Sequence, residues 1–477
     1  MKIIRTMLIV SAIGLVNQGI AQKKLDIDFP LTGKIQTQNS CEIASSNFSV
    51  GGETMDRDLI KFDSWKEYLG PLGAKKIRLQ AGWAKCEPSK NQYNFEWLDE
   101  IIDYVISQGV EPWLQVSYGN PVYEGGGGIH LSAGIPASKE ALEGWDNWVK
   151  ELAKRYSAKV KYWEIWNEPD NKGRTSCEDY ADLYVRSAEI IRHSIPDAEM
   201  FALSLAYVDK RGEKYIDGFL NELKKQEKLH LVNDITVHGY TYNPDAVYSS
   251  YEKLFNVVKK YSDKIKLRQG ELGCPSEFQG FMALGNNDWS ELSQSKWVVR
   301  KMLGDLGRDI PSLYFLITDI VYTHDHEKLM PEPKRNTKGL IKSDIERNFV
   351  SLKPSYAAYQ HVASTFDHSL KRIPNYPFTH NSNHSLSVFA YRSECFDKQI
   401  VTVWKDDEIP GDSNATTAVD FMFPAGNFQE PVLVDIRTGL IYNIPENNWK
   451  KKGTKYNFED IPVYDSPILI ADRSLIE

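Results

Sequence analysis

The sequence predicts an α/β fold, a (β/α)8 TIM barrel followed by a C-terminal β-sandwich domain, and three observations support this. Between residues 47 and 366, short apolar strands alternate eight times with segments of helical hydrophobic spacing. Each connection is too long for a hairpin, so the strands should pair in parallel through right-handed crossovers, and eight such units close a barrel. From residue 367 to 477 the helical spacing stops, and short strands alternate with polar turns, as in a sandwich.

The predicted elements follow one another without an internal repeat. The eight barrel strands are predicted at residues 48–52, 76–80, 111–118, 161–168, 200–205, 234–240, 266–271 and 312–318. The helices between and after them are predicted at residues 58–69, 95–107, 139–156, 178–194, 212–225, 249–261, 290–306 and 355–366. The sandwich strands are predicted at residues 385–391, 399–404, 432–436 and 456–458.

An open, doubly wound α/β sheet is the alternative architecture. Such a sheet would carry a glycine-rich phosphate loop after its first strand. Gly51 and Gly52 are followed by Glu53 and Asp56, whose negative charges do not suit a phosphate. The barrel is therefore the preferred prediction.

The N-terminus has the pattern of an export signal. Basic residues precede an apolar run at 7–16, and small residues at 19–21 form a cleavage site, so residues 1–21 are predicted to be a signal peptide. Residues 22–46 are a lead-in segment with a short strand expected at 25–29. No later apolar run is long enough to span a bilayer. We expect an exported protein, periplasmic or extracellular, without membrane insertion.

The amino-acid composition limits the classes of ligand that the protein is expected to bind. The net charge of −8 over 477 residues argues against nucleic acid and anionic membranes as ligands. Aromatic residues make up 12%, with 12 Trp and 25 Tyr, and their faces suit the C–H faces of sugar rings. The five cysteines lack the spacing of metal ligands, and no metal or other cofactor is predicted. Nothing in the sequence indicates an oligomeric state.

Two glutamates are the candidate catalytic residues. As a β-strand, residues 161–168 place Glu164, Trp166 and Glu168 on one side, and Pro169 ends the strand with Glu168 at its mouth. Glu271 ends the seventh predicted strand in the same way. The carboxyl ends of barrel strands share one face, where ligands bind. Glycoside hydrolysis needs such a pair, one acid for the leaving oxygen and one carboxylate for the sugar carbon.

Neighbouring strand ends supply groups that could tune this pair. Arg78 and the hydroxyl of Tyr240 are expected to favour the ionised form of Glu271. His238 lies two residues before Tyr240 and should face the same way, with a buried core histidine as the alternative. Glu164, deeper on its strand, would need a cationic or hydrogen-bonding partner.

Further substrate contacts are expected just past the strand ends, where loop packing is the alternative for each residue. These candidates are Trp83, Tyr118, Asn120, Trp289 and Asp319. The glycine-rich segment at 125–128 suggests a mobile lid. A lid and long loops could wall a pocket, so we expect exo action.

The segment Trp-Glu-Ile-Trp-Asn-Glu-Pro at 163–169 resembles the acid/base signature of retaining glycoside hydrolases of clan A. In that clan the acid/base follows strand four and the nucleophile follows strand seven. The resemblance implies that Glu168 is the acid/base, that Asn167 contacts the sugar 2-hydroxyl, and that Glu271 is the nucleophile.

Within the clan, residues 313–319, 338–341 and 353–356 are similar to glycoside hydrolase family 39, which includes β-xylosidases and α-L-iduronidases. Phe315 stands where that family usually has Trp, and Gly270 stands before Glu271 where it usually has Thr. The resemblance therefore implies the double-displacement mechanism without naming a sugar. We expect action on glycosides derived from plant or host polysaccharide.

Three other readings remain open. A non-hydrolytic glycan-binding protein could keep the same barrel. A metal-dependent hydrolase would need a His-X-His strand end and further ligands, but Tyr240 stands two residues after His238. An inverting hydrolase would need a wider separation of the two carboxyl groups.

Overall fold

The computed structural model describes residues 25–130, 134–325 and 328–476. The predicted signal peptide lies outside these residues. A first strand, β1, precedes the barrel at Leu31–Lys34. The eight barrel strands are β2 Phe48–Gly51, β3 Lys76–Gln80, β4 Glu111–Val116, β5 Tyr162–Ile165, β6 Glu199–Leu205, β7 Asp234–Val237, β8 Lys266–Gln269 and β9 Ser312–Tyr314.

These eight strands form one parallel sheet in the order β8-β7-β6-β5-β4-β3-β2-β9. The two end strands are linked by backbone hydrogen bonds from Gln269 to Pro311 at 3.0 Å and from Phe315 to Leu272 at 2.8 Å. The sheet is thus nearly closed into a barrel, which confirms the predicted fold class.

Helices cover the outside of the barrel. They are α1 Lys66–Leu72, α2 Trp83–Cys86, α3 Glu96–Ser107, α4 Lys139–Tyr156, α5 Cys177–Ser194, α6 Lys210–Lys225, α7 Tyr248–Lys259, α8 Glu291–Leu306 and α9 Pro354–Thr365. The Ser138 side chain caps α4 by accepting from the backbone of Ala141, and α4 buries Trp145 and Trp148 towards the barrel. No helix in the described part of the chain is long and apolar enough to cross a lipid bilayer.

Several strands end earlier than predicted. β5 ends at Ile165 rather than at Glu168, because Trp166 and Glu168 adopt left-handed backbone conformations with φ of 67° and 49°. The alternation expected over residues 161–168 is therefore wrong after Ile165. Trp166 packs outward against Trp145, and Asn167 instead turns towards the barrel centre.

The helix predicted at residues 58–69 is also wrong. The chain forms two single 3₁₀ turns, Met55–Arg57 and Phe62–Ser64, before α1 begins. Asp58 has a φ of 54°, which a right-handed helix does not accommodate.

Four strands that the sequence analysis did not predict follow β9. They form two antiparallel hairpins, β10 Ile320–Asp325 with β11 Lys328–Asn336, and β12 Ile341–Ser343 with β13 Phe349–Leu352. The first hairpin lies after the last barrel strand, so it extends the wall of the mouth on that side.

The C-terminal part forms a sandwich of two antiparallel sheets. Its strands are β14 Leu370–Ile373, β15 Thr379–His380, β16 Leu386–Ser393, β17 Lys398–Lys405, β18 Thr417–Phe423, β19 Pro431–Asp435, β20 Leu440–Asn443, β21 Trp449–Lys452, β22 Lys455–Val463 and β23 Ile468–Asp472. One sheet has the order β1-β20-β19-β23-β17-β16-β14, and the other β15-β18-β22-β21. The lead-in strand was predicted at 25–29, but the strand is β1, which pairs with β20 of the sandwich.

Candidate active site

Glu168 and Glu271 meet at the mouth of the barrel, just beyond β5 and β8. One oxygen of each carboxyl group and one ring nitrogen of His238 all lie within 4.8 Å of one another. Glu168 Oε1 lies 2.8 Å from His238 Nδ1, and Glu168 Oε2 accepts a hydrogen bond from the Asn171 amide at 2.7 Å. The carboxyl separation is close to the roughly 5–5.5 Å of retaining glycosidases and below the roughly 6.5–9.5 Å of inverting ones.

Glu271 is surrounded by groups that stabilise its charge. The Tyr240 hydroxyl donates to Oε1 at 2.7 Å, and Arg78 Nη1 donates to Oε2 at 3.2 Å. Burial alone would raise the pKa of Glu271, but the charges of His238 and Arg78 and the Tyr240 hydrogen bond outweigh it and lower the pKa. Glu271 is therefore ionised at neutral pH, as a nucleophile must be.

Arg78 is fully buried, and every N–H of its guanidinium has an acceptor. Nε donates to Glu164 at 2.6 Å, Nη1 donates to Glu53 and Glu271, and Nη2 donates to Asn167 at 2.9 Å and Ser204 at 2.6 Å. Arg78 was expected to favour the ionised form of Glu271, and a further contact with the substrate would need a free donor. With all five donors used inside the protein, it has none for a sugar and instead holds Glu271 and Asn167 in place.

His238 connects the two halves of this cluster. Its Nε2 lies 2.8 Å from the Ser204 hydroxyl, and its Nδ1 lies 3.7 Å from Glu271 Oε2 in addition to its contact with Glu168. Burial alone would lower the pKa of His238, but the carboxylates of Glu271 and Glu168 outweigh it and raise the pKa. Since the His238–Glu168 hydrogen bond needs a proton between its two atoms, the pair shares one.

A third carboxyl group, Glu53, adjoins Glu271 through Arg78 Nη1. Glu53 follows β2 and is almost fully buried. Burial, opposed by the charge of Arg78 and reinforced by that of Glu271, raises the pKa of Glu53 to about 8. Glu53 therefore carries a proton and is neutral at neutral pH. The positive charge of the Arg78 guanidinium then interacts with Glu271 and Glu164 rather than with a charged Glu53.

Ser204 and Gln115 complete the centre and were missed by the sequence analysis. A bulge in β6, with Ser204 at a φ of 48°, turns this hydroxyl inward to Arg78, His238 and Asn167. Gln115 Nε2 donates to Glu164 at 3.0 Å and to Asn167 at 3.2 Å. A polar side chain within the apolar strand β4 was a signal for Gln115, whereas no pattern predicts a bulge.

Four predicted contact residues lie away from this centre. Asp319 forms a fully buried ion pair with Lys353 at 2.7 Å, so it is structural. Asn120 is buried, and its amide donates to the Glu87 carbonyl at 2.8 Å, which is loop packing. The Trp289 indole donates to the Leu284 carbonyl at 2.7 Å.

Trp83, the fourth, stacks between Tyr123 and Trp148 and donates to Glu87 at 2.6 Å. It contributes only to the wall of a neighbouring cavity. The glycines at 125–128 have a packing role, since a Cβ on Gly126 would lie 2.1 Å from the Asn120 carbonyl oxygen. Mobility of this segment stays a prediction.

A cavity of about 440 Å³ opens beside the carboxyl pair. It is lined mainly by residues that follow β2, β3, β4 and β9, among them Tyr118. The ring of Tyr118 packs edge-on to Trp166 at a centroid distance of 5.8 Å. Bond cleavage would therefore occur between Glu168 and Glu271, with room for more of the ligand on the Tyr118 side.

Glu168, His238 and Glu271 also have the residue types and spacing of a metal site, and they form the one such cluster in the part of the chain described. The guanidinium of Arg78 already occupies Glu271 Oε2, and its positive charge would repel a metal cation there. Ser204 and Asn171 engage the remaining polar atoms of His238 and Glu168. The donor set thus fits acid–base chemistry better than metal binding.

Comparison with known proteins agrees with this geometry. Residues 80–262 match the family model of glycosyl hydrolases family 39. A β-xylosidase of Caldicellulosiruptor saccharolyticus is 28% identical over 154 residues, which cover 27% of this chain and 31% of that protein. An aryl-phospho-beta-D-glucosidase of Bacillus subtilis (strain 168) is 26% identical over 102 residues, which cover 20% of this chain and 21% of that protein.

The match thus spans about a fifth to a third of the length of these curated relatives. Solved structures extend the likeness in fold to nearly the whole chain. A family 39 glycoside hydrolase from Bacteroides cellulosilyticus WH2 has a TM-score of 0.63 at 17% identity, covering 92% of this chain and 83% of that one. A monomeric beta-xylosidase from Caulobacter crescentus CB15 has a TM-score of 0.60 at 15% identity, covering 93% and 97%. Over residues 80–262 this chain is thus similar to glycosyl hydrolases family 39, and it shares its fold with solved structures that include a family 39 glycoside hydrolase and a beta-xylosidase.

Proposed function

We propose that this protein is an exported, retaining glycoside hydrolase in which Glu168 is the acid/base and Glu271 the nucleophile. The observation that carries the proposal is the meeting of the two carboxyl groups within 4.8 Å. Their surroundings differ in the way the mechanism needs. Arg78 and Tyr240 hold Glu271 ionised, whereas Glu168 is hydrogen-bonded to His238, whose pKa is raised.

In the first step, an oxygen of Glu271 attacks the anomeric carbon of the sugar. The bond from that carbon to the glycosidic oxygen breaks, and the proton of the Glu168–His238 pair passes through Glu168 to the leaving oxygen. The aglycone departs as an alcohol, and the sugar remains bound to Glu271 as an ester.

In the second step, Glu168 acts as a base. It takes a proton from a water molecule, whose oxygen attacks the anomeric carbon and displaces Glu271 as a carboxylate. Two displacements at the same carbon restore its original configuration. The starting charge distribution returns, with Glu271 again stabilised by Arg78 and Tyr240.

Asn167 is positioned to hold the sugar during both steps. Its side-chain oxygen accepts hydrogen bonds from Arg78, Gln115 and Ser204. This orientation directs the amide nitrogen away from these donors, where it can donate to the sugar 2-hydroxyl. A hydrogen bond to that hydroxyl strengthens as charge develops on the ring.

The mode of action and the location of the protein are part of this proposal. The loops around the mouth suit exo action on glycosides derived from plant or host polysaccharide. The N-terminal segment supports export to the periplasm or beyond the cell, where such glycosides are found.

The test is a screen of 4-nitrophenyl glycosides that differ in ring and anomer, with the anomeric configuration of the first product followed by NMR. We expect hydrolysis with retention, and a loss of at least about 1,000-fold in kcat for Glu271→Gln, since a neutral amide cannot form the ester. Inversion would refute the nucleophile assignment. Sugar binding without turnover of any glycoside would favour the alternative, a glycan-binding protein.

A further inference from the structure

The cavity beside the carboxyl pair contains a cation whose hydrogen-bonding capacity is not filled. The side chain of Arg57, which follows β2, is 9% exposed. Its Nε donates to Asp56 at 3.3 Å, and its Nη2 donates to the Gln80 side chain at 2.5 Å. Nη1 has no hydrogen-bond partner among residues 25–130, 134–325 and 328–476, and it is not sealed into the core, so it opens onto the cavity.

Within the part of the chain that the structure describes, Asp56 is the carboxylate that pairs with Arg57, and it does so incompletely. Asp56 approaches only Nε, in a single long contact, whereas a strong arginine–carboxylate pair uses two parallel hydrogen bonds. Burial, opposed by the charge of Arg57, raises the pKa of Asp56. A cation buried to this degree is costly unless an anion pairs with it.

The other charged groups of the cavity do not supply that anion. Asp58 is bound to Lys85 Nζ at 2.6 Å, so this pair is balanced. His130 and His324 face the cavity as stacked rings with centroids 5.0 Å apart. Among the described residues, the cavity wall therefore offers the guanidinium edge of Arg57, and no carboxylate among them is hydrogen-bonded to Nη1.

The position of the cavity relative to the two carboxyl groups indicates which part of a ligand the cavity would hold. None of Glu168, Glu271, His238 and Tyr240 lines it. A group bound beside Arg57 therefore belongs to a unit next to the sugar that is cleaved. The Tyr118 ring lies under the guanidinium, 4.7 Å from its carbon, and gives this unit an aromatic surface.

A hydrogen-bonded path joins this cavity to the catalytic centre. The Gln80 side chain accepts from Arg57 and donates to the Gln115 side chain at 3.0 Å. Gln115 in turn donates to Asn167 at 3.2 Å. Filling the cavity thus acts on groups that position the reacting sugar.

We propose that this cavity binds an anionic substituent, a uronic carboxylate or a sulfate ester, on the sugar next to the cleaved one, with Arg57 as its ion partner. The planar guanidinium edge matches either oxyanion, whereas a neutral hydroxyl would leave its charge uncompensated. This inference rests on the proposed function, and it makes the substrate an acidic oligosaccharide.

The test compares three substrates that share the reacting sugar hydrolysed best in the aryl glycoside screen. The adjacent unit is glucose, glucuronic acid or glucose 6-sulfate. We expect the wild type to have a higher kcat/KM for one or both anionic substrates than for the neutral one. Preference for the carboxylate or for the sulfate identifies the source of the anion, and preference for the glucose substrate overturns the proposal.

Variants locate the effect. Arg57→Gln should lower the ratio of kcat/KM for the anionic to the neutral substrate by roughly 10- to 100-fold, the range of a charge-assisted contact. Arg57→Lys keeps the charge and should restore part of the ratio. Lys161→Gln removes a charge before β5, at the opposite end of the barrel, and should leave the ratio unchanged. An unchanged ratio in Arg57→Gln overturns the proposal.

Two measurements separate this inference from the proposed function and from a failure to fold. Calorimetric binding of glucuronic acid to Glu271→Gln, lost when Arg57→Gln is added, supports the cavity even if the wild type hydrolyses nothing. Binding that persists in the double variant overturns the proposal. If Arg57→Gln does not fold by circular dichroism, the anionic preference of the wild type must weaken with salt, and a salt-independent preference contradicts the role of Arg57.

Discussion

Arg78 Nη1 donates to Glu271 Oε2 at 3.2 Å, so a cation within β3 holds a carboxylate that follows β8. The same guanidinium donates to Glu164 on β5 and to Asn167 just after it. One buried charge therefore organises groups from three separate strands of the barrel. How this charge is shared decides which acidic groups are ionised.

Arg78→Lys tests the geometry of that charge. Lysine keeps the cation but has three donors on one atom instead of five on a planar fork, so several buried acceptors lose their partner. We expect kcat/KM to fall by at least about 100-fold and the free energy of unfolding to fall by about 2–4 kcal/mol, measured by steady-state kinetics and urea unfolding.

Arg155→Lys is the matched control for this change. Arg155 forms a two-pronged pair with Asp99, but on the surface, where the loss should stay below about 1 kcal/mol. Equal effects of the two substitutions would contradict the central role of Arg78.

Tyr240→Phe tests the hydroxyl that stabilises the ionised nucleophile. Without the hydrogen bond to Oε1, the pKa of Glu271 should rise, because the anion loses a donor. The acidic limb of the kcat/KM profile should therefore move to higher pH, with a loss of roughly 10-fold or more in kcat/KM below the optimum. The measurement is kcat/KM against pH in constant ionic strength.

Tyr184→Phe removes another buried hydroxyl, which donates to the Leu231 carbonyl away from the site, and serves as the control. It should leave the position of the acidic limb unchanged. A limb that moves equally in both variants would refute the assignment of the limb to Glu271.

Glu53→Gln tests the proton held beside Arg78. The pKa of Glu53 is raised from 4.5 to about 8, so between these pH values the folded protein keeps a proton that the unfolded chain releases. The folded state then binds more protons, and stability falls as pH rises through this window. Glutamine keeps the acceptor for Arg78 and does not titrate. The melting temperature of the variant relative to wild type should therefore increase from pH 5 to pH 8.

Glu53→Asp is the companion variant, since it still titrates. Relative to wild type, the melting temperature of Glu53→Asp should not increase from pH 5 to pH 8, whereas that of Glu53→Gln should. A melting difference between Glu53→Gln and wild type that is constant from pH 5 to pH 8 would show that Glu53 is already ionised at low pH.

Glu168→Ala tests the acid/base role. With a 2,4-dinitrophenyl leaving group the first step needs no acid, so the ester on Glu271 should accumulate and its hydrolysis should become rate-limiting. Azide needs no base to attack the anomeric carbon, so it should accelerate turnover and give a glycosyl azide of retained configuration, identified by NMR. Turnover equal to wild type without azide would remove Glu168 from the mechanism.

Local patterns predicted most of the barrel. Strand β3 and helix α4 begin and end at the residues that their hydrophobic periodicity predicts. The reason is that burial of one face of each element determines which of its residues are apolar. The same patterns extended β5 by three residues too many. The left-handed conformations of Trp166 and Glu168 end the strand, and they leave no mark in hydrophobic spacing.

Some contacts of the candidate site could be predicted from the sequence, and others could not. Contacts of Glu271 with Arg78 and Tyr240 could be anticipated, because Glu271 and Tyr240 follow strand ends that share one face of a barrel and Arg78 lies on a neighbouring part of the same sheet. Asp319 and Asn120 also follow strands, yet they are sealed by partners within the protein. Position after a strand places a residue near the mouth without deciding whether its side chain faces the ligand or the loops.

The sequence by itself determined the order of strands and helices, the closed parallel barrel and the delivery of Glu168 and Glu271 to one face. These follow from short-range periodicity and from the shared direction of parallel strands. Only the tertiary structure decided that Ser204 turns inward, that Glu53 keeps a proton and that Arg57 lines a cavity. Each of these three features depends on which residues, distant in the sequence, the packing of the barrel brings within hydrogen-bonding distance. Each also depends on how far that packing excludes water from the side chains.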